Sequence, residues 1–437
     1  MRSNSKNARA AQSDSAIATA GEVFDDGTLI ELVEDLSQPS GLGLLKWDGC
    51  RALTSPRIVH ARKAYVPLPL DPTIRRALRL PSTSSDFVST AALFDELLAV
   101  ATKFTDLAQP FCELLVSFVI ASWLADRLPQ PINLSLWSPV APDGARILLL
   151  LSSLCRLPLL LTGVNAADLR ALPGELPATL LILRPASSRR THEFLAASGW
   201  RGFHSARSGR LVEFLGAKAL STDAPLDDRM VGCTIQIPVT RSMRSLPALD
   251  KRALQELSTE FLPKLLRFRL RHCGSARGAR GTEAVDVAPG GQLSSALRVC
   301  FRDEPELGDR LVAQLIEVGE NGGEGPLDDP RALLLEVVWS RCHSRERDKL
   351  RVAEVALDLN AALSRIGELK LSERMVGGLL RSIGLRTHRL GQDGRGLMLD
   401  PPTRRRIHHF ARVRNVRSAK QPFPGCAECA QLETSRS

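Results

Sequence analysis

INLSLWSPVAPDGARILLLLSSLCRLPLLLT (132–162), continued by GVNAADLRALPGELPATLLIL (163–183), decides the fold. Ile132–Trp137 reads as a strand, Arg146–Cys155 as a helix and Leu157–Thr162 as a second strand. Ala166–Leu172 then reads as a short helix, and Thr179–Leu183 as a third strand with the uninterrupted apolar run of strands covered on both faces. Strand, crossover helix, strand is the signature of a parallel sheet. Downstream, Thr191–Ser198 continues the alternation as a helix, and Arg210–Ala219 and Cys233–Val239 as strands. The expectation over 132–239 is a mostly parallel sheet with Thr179–Leu183 at its centre.

Working outward, Leu93, Phe94, Leu97, Leu98 and Val100, then Leu114, Leu115, Phe118, Val119, Trp123 and Leu124, recur at helical spacing ahead of the sheet. Before them, Thr28–Val66 has short apolar stretches broken by Gly and Pro, as in a small β-rich element. Behind the sheet the chain reads as helical from about Leu249 to His272, with Leu257, Phe261, Leu265 and Phe268 as a core stripe. The adjacent Lys264, Arg267, Arg269 and Arg271 read equally as a solvated face or a polyanion surface. A Gly-rich break at 273–291 separates this helix from others reaching about Ile366. Near the C-terminus, Leu333–Ser344, Val352–Ile366 and a helix capped by Ser372, with Val376, Leu379, Leu380 and Ile383 buried, precede strand-like pieces Leu385–Leu390 and Gly396–Leu399 around GQDGRG (391–396). Three helices and a hairpin outline a winged helix, whose third helix and wing face nucleic acid.

Apolar residues make up 44% of the 437 and charged residues 24%, an ordinary globular balance. The longest apolar runs, Leu114–Ala125 and Ile147–Cys155, fall well short of the ~20 residues a bilayer requires. No membrane span is therefore expected, and the first residues lack the apolar segment of a secretory signal. Most of the nine cysteines stand singly in apolar segments, the usage of a reducing, cytoplasmic compartment. Between 381 and 420 eleven cations face two carboxylates, so nine of the formal net charge of +10 lie in these forty residues. A neutral body with a basic end is the footprint of a polyanion-binding appendage. Cys426 and Cys429 form a CxxC just after His408 and His409, but the spacing matches no standard finger, so the pair reads as two exposed thiols on a flexible end.

A phosphate loop needs a strand, GxxxxGK[ST] and a helix. The glycines admit backbone N–H groups to the phosphates, the lysine reaches their oxygens and the hydroxyl holds Mg²⁺. The strand Ile132–Trp137 leads into SPVAPDGARI (138–147) in that place. By spacing, Gly144 keeps the second glycine, Pro139 replaces the first, and Ala145 and Arg146 stand for the lysine and the hydroxyl. Arg184 follows TLLIL where such folds carry the acidic residues that position the metal's water. No HExxH or GxSxG motif supplies another chemistry.

In order and spacing, the chain from about Thr90 to Val416 resembles the P-loop ATPase domain of plasmid- and phage-borne primase–helicases, a helicase-like core joined to a C-terminal winged helix. The landmarks are the turn at 138–144, 155–183, AASGWRG (196–202), DDRMVGCTIQIP (227–238) and SERMVGGLLRSIGLRT (372–387). The resemblance implies a P-loop NTPase-like α/β core with helical flanks and places Arg229 at an arginine-finger position. It implies domains of 86–248 for the core with its helical lead-in, 249–330 for a helical extension and 331–416 for the winged helix. A disordered tail over 1–27, a β-rich element with linker over 28–85 and a flexible tail over 417–437 complete the expectation.

The functional expectation is a catalytically inactive, DNA-associated protein of mobile-element origin, with no cofactor and no metal, and with a homo-oligomer or a replication partner as its assembly. It would bind DNA, largely without sequence specificity, through Arg374, Arg381, Arg389, Arg395, Arg404, Arg405 and Arg406. Two alternatives stand beside it: a divergent ATPase in which Arg146 and Arg184 hold phosphate, and a non-enzymatic protein-interaction scaffold.

Overall fold

The structure is a computed structural model. It describes residues 16–128, 130–137, 143–174, 176–186, 188–197, 204–207, 210–213, 216–222, 234–239, 245–274, 291–320, 330–343, 348–365, 370–382, 385, 387–391, 394–413, 423, 426 and 429.

The chain opens with seven short strands: β1 (Ile17–Thr19), β2 (Gly21–Val23), β3 (Leu29–Glu34), β4 (Leu42–Trp47), β5 (Ala52–Ser55), β6 (Ile58–His60) and β7 (Lys63–Pro67). β2 to β5 form an antiparallel sheet in sequence order, while β7 pairs parallel with β1 and antiparallel with β6. Order thus begins within the tail expected over 1–27. Ile17 and Ala18 are exposed, so local hydrophobicity gives no sign of it. It comes from backbone pairing with Tyr65 and Val66, far along the chain.

β3 shows how this sheet joins the body. Its alternate residues point to opposite faces. Leu29 and Val33 enter one core with Phe94 and Phe118, and Ile30 and Leu32 enter another with Leu159, Leu180 and Ile182. Glu31, on the first face, is therefore carried into the interior.

Helices α1 (Pro72–Ala77), α2 (Thr90–Phe104) and α3 (Gln109–Ser122) follow. The Ser89 side chain caps α2 by accepting from the Ala92 N–H. α3 is buried from Cys112 to Ser122, as a helix apolar on all sides must be.

The core sheet contains β8 (Asn133–Trp137), β9 (Pro158–Thr162), β10 (Thr179–Leu183), β13 (Lys218–Thr222) and β14 (Thr234–Pro238), separated by α4 (Asp143–Leu151), α5 (Ala166–Ala171) and α6 (Arg189–Ala197). Its order is β14-β8-β13-β10-β9, with every pair parallel. The α/β expectation holds. One placement changes: β13 is the middle strand, and Thr179–Leu183 lies one position towards the β9 edge. The strand expected over Arg210–Ala219 is also two elements, since β12 (Arg210–Glu213) pairs antiparallel with β11 (His204–Arg207) before β13 begins.

α7 (Lys251–His272), α8 (Gly291–Cys300) and α9 (Pro305–Glu320) bury Leu257, Phe261, Leu265, Phe268, Leu297 and Leu311 in the core that holds Leu134 and Leu181. These helices are part of the body, not a separate extension at 249–330.

The C-terminal unit has its own core, with Leu334, Val338, Trp339, Leu359, Val376, Leu380 and Leu397 among its residues. It runs α10 (Pro330–Cys342), β15 (Lys349–Arg351), α11 (Val352–Arg365), α12 (Glu373–Ser382), β16 (His388–Arg389), β17 (Arg395–Met398) and α13 (Pro401–Val413). The strands form an antiparallel sheet in the order β15-β17-β16. The Ser372 hydroxyl caps α12 at the Met375 N–H, as expected. Asn360 clamps α11 to the start of α12, donating to the Leu371 carbonyl and accepting from its N–H. β15 has no sequence signal of its own, and Ile383 lies outside the described residues.

Candidate functional site

The C-terminal ends of parallel strands, where the strand order reverses, are where α/β sheets bind ligands. β8 is such a place: the chain leaves it for the far edge at β9 and returns to its other side only at β14. β8 ends at Trp137 and α4 begins at Asp143, so 138–142, outside the described residues, joins an inner strand to a helix N-terminus. Pro139 falls in that segment.

Gly144 is buried against β13. A Cβ there would lie 2.3 Å from the Ser221 hydroxyl and 3.2 Å from its Cβ, so this glycine lets the helix start press on the strand. Arg146 is held by two main-chain carbonyls. Its Nε donates to the Phe104 carbonyl at 2.9 Å and its Nη2 donates to the Pro247 carbonyl, tying α4 to the end of α2 and the approach to α7. Ala145 offers no charge. Arg184, exposed beyond β10 with φ at +52°, donates its backbone N–H to the Ser221 carbonyl. Arg229 lies outside the described residues.

Among the described residues, Cys155 and Cys273 are poor nucleophiles. Burial pushes the pKa values of Cys155 and Cys273 up to about 12.

The basic face of α7 is committed within the protein. Lys264 pairs with Glu96, and Arg267 and Arg271 pair with Asp86 at 2.8 Å each while lying over Trp47 and Phe87. Arg269 is wholly buried on Glu31 and Asp126. Arg269 thus leaves the basic face, whereas Arg271 remains exposed on it with Asp86 as its partner.

The C-terminal arginines are arranged differently. On α12, Arg374 and Arg381 are exposed and seven residues apart, hence on one side of the helix. Val376, Leu379 and Leu380 bury the opposite side. In the hairpin, Arg389 and Arg395 are direct cross-strand partners, and both are exposed. Like charges placed directly opposite destabilise a strand pair. On α13, Arg405 and Arg406 are exposed. Arg404 is half-buried, with Nε on the Leu399 carbonyl at 2.9 Å and Nη1 on the Cys342 carbonyl, so it leaves the expected DNA-facing set as a packing residue.

No protein family and no curated protein matches this chain. Several solved structures overlap it loosely, among them these three. The C-terminal region of NrS-1 (305–718) does so at 10% identity over 84% of this chain and 96% of that one, with a TM-score of 0.29. A full-length MCM homolog from Methanopyrus kandleri gives 12% identity over 66% and 77%, with a TM-score of 0.30. Drosophila ORC bound to DNA gives 10% identity over 82% and 96%, with a TM-score of 0.19. Overlap this loose carries no argument. The fold assignment rests on the all-parallel sheet itself. Among the described residues, no helix is long and apolar enough to cross a membrane.

One constellation escaped the sequence. The CxxC tail is not a pair of exposed thiols: Cys429 is buried and Cys426 half-buried. Both lie with His408 of α13 and with His343, the residue after α10. The CxxC and His408 were visible as candidates. His343 was not, because 65 residues separate it from His408 and no local pattern connects them.

Proposed function

We propose that this protein is a non-hydrolysing, helicase-like DNA-binding protein that engages duplex DNA through its C-terminal unit, read as a winged helix. The observation that carries the reading is the Arg389–Arg395 cross-strand pair. Two exposed guanidiniums held opposite each other cost stability unless an anion lies across them, and their fork geometry suits phosphate oxygens. Arg374 and Arg381 on one side of α12, with Arg405 and Arg406 on α13, supply further phosphate contacts. The order helix, strand, two helices, hairpin supports the winged-helix reading, in which third helix and wing share the nucleic acid. The loss of a lysine at 145 and of an acid at 184 supports a core that serves as a scaffold.

Each phosphate neutralised adds about −0.9 to the slope of log K against log salt on duplex DNA. The full-length protein, titrated with duplex DNA of unrelated sequences across a salt series, should bind them with comparable affinity and a steep slope. Arg389→Glu with Arg395→Glu should flatten that slope by about two contacts' worth and weaken binding to every sequence alike. Affinity unchanged by salt and by the double reversal would overturn the reading and leave a protein-docking face in its place.

A further inference from the structure

We infer that His343, His408, Cys426 and Cys429 bind one zinc ion that ties the C-terminal tail to the base of the C-terminal unit. The inference is independent of the DNA-binding proposal.

The four ligand atoms lie within 4.8 Å of one another. His343 Nε2 is 3.1 Å from His408 Nε2 and 3.3 Å from Cys429 Sγ, and Cys426 Sγ is 3.3 Å from His408 Nε2. A tetrahedral zinc, about 2.0–2.1 Å from nitrogen and about 2.3 Å from sulfur, sets its ligands about 3.4 Å apart for N···N and about 3.5 Å for N···S. The three separations given fall within a few tenths of an ångström of these, and the remaining pairs lie within 4.8 Å.

The hydrogen bonding decides what stands between the rings. His343 Nδ1 meets the Trp339 carbonyl at 2.7 Å, and His408 Nδ1 meets the Arg404 carbonyl at 2.7 Å, each four residues back in sequence. A carbonyl only accepts, so both Nδ1 atoms carry the proton and both Nε2 atoms present a lone pair. Two lone pairs facing at 3.1 Å repel unless a positive charge lies between them, and two cysteine sulfurs complete the enclosure. Nδ1–H on a backbone carbonyl is also the usual way a protein fixes a ligating histidine's ring and tautomer.

The surroundings suit a closed structural site. His343 and His408 are buried, at 7% and 3% exposure. The Trp339 ring packs on both imidazoles with centroids at 4.5 Å, and Phe423, from the tail, stacks on His343 at 4.6 Å. Two thiolates and two neutral imidazoles cancel the ion's charge, and this donor set favours zinc over harder cations. All four positions are filled by protein, so the role is structural rather than catalytic. Cys342 is not one of the four: its thiol donates to the Trp339 carbonyl and lies 3.5 Å from His343 Nδ1, the nitrogen that faces away from the cluster centre.

The experiment takes the full-length protein purified under reducing conditions without chelator. Metal analysis should return one zinc per chain. Exchange with Co(II) should give the ligand-field and thiolate charge-transfer absorption of a tetrahedral mixed sulfur–nitrogen site. Cys426 and Cys429 should resist alkylation until a strong chelator is added, which needs no substitution and so no variant that might unfold. Cys429→Ser and His343→Ala should lose the metal, while Cys342→Ser and His409→Ala retain it. No bound zinc and no cobalt spectrum would overturn the inference. So would a Cys426–Cys429 disulfide under the same reducing conditions, or full metal retention in Cys429→Ser and His343→Ala.

Discussion

Arg269 concentrates more of this fold than any residue of the phosphate-loop position. Its Nε reaches Glu31 at 2.8 Å, its Nη1 and Nη2 hold both oxygens of Asp126 at 2.7 and 2.8 Å, and Nη1 also donates to the Trp123 carbonyl. Arg156 supplies the second cation, with Nε at 2.6 Å from Glu31. Burial acts to raise the Asp126 pKa, but the charges of Arg269 and Arg156 and the Arg269 hydrogen bond outweigh it and hold the carboxyl far below the usual carboxylate range. A depressed carboxylate stabilises the fold above its unfolded pKa of about 3.9 and loses that contribution as pH falls through the folded value. Thermal stability should therefore decline on acidification below about pH 4, and Asp126→Asn should be less stable at neutral pH but flatter in that acid range. Arg269→Met leaves Arg156 as the one cation for both Glu31 and Asp126. It should cost about 3–5 kcal/mol, the range for removing one partner of a buried pair, read from the urea midpoint by tryptophan fluorescence. A midpoint unchanged in Arg269→Met would show that the network is not holding the body together.

At the scale of elements, periodicity was readable wherever an element packs by its own side chains. The Leu257, Phe261, Leu265, Phe268 stripe of α7 is buried throughout. Arg269 lies four residues beyond Leu265, on the buried side, although the sequence reading sets it with Lys264, Arg267 and Arg271 on a basic outer face. Its partners were not legible, because Glu31 is 238 residues away. Pairing written in the backbone left the least trace. β1 and β15 are three residues each, and β15 exists because β17 accepts it as a third strand. The GQDGRG turn was legible from its glycines, two of which, Gly391 and Gly394, take positive φ. Gly396 has a different role: a Cβ there would stand 2.4 Å from the Leu350 carbonyl oxygen and 2.5 Å from Leu390 Cδ1. Gly396→Ala should force β15 and β17 apart and cost about 1–3 kcal/mol, as overpacking does. Amide exchange should then accelerate at Leu350 and Leu397, with the α7 amides unaffected. Unchanged protection at Leu350 would show that the sheet absorbs the methyl group without parting.

For the whole molecule, the end of β8 is defined by contacts that the protein makes with itself. The order β14-β8-β13-β10-β9 sets the end of β8 where parallel sheets bind ligands, and Arg146 of α4 joins the end of α2 to the approach to α7. Yet the residues there hold the protein to itself. Arg146 spans two carbonyls of separate segments, and Gly144 admits α4 to Ser221. A phosphate clamp and an acidic partner for metal-bound water act on charge that develops in the transition state, and losing one such group typically costs a hundredfold or more in rate. On the proposed reading, Ala145 and Arg184 occupy these positions and supply neither group. ATP with Mg²⁺ should therefore produce no turnover above background, with or without duplex DNA. Ligand binding at a hundred times its Kd would stabilise the folded state by about 2.7 kcal/mol, so millimolar ATP should also leave the thermal midpoint where it is. Arg146→Ala should lower that midpoint without altering the nucleotide response, because it releases α4 from Phe104 and Pro247 rather than removing a ligand. The contrary result is equally readable. A Mg²⁺-dependent rise in midpoint with ATP, abolished by Arg184→Ala, would make the exposed arginine beyond β10 a phosphate ligand and restore the divergent ATPase.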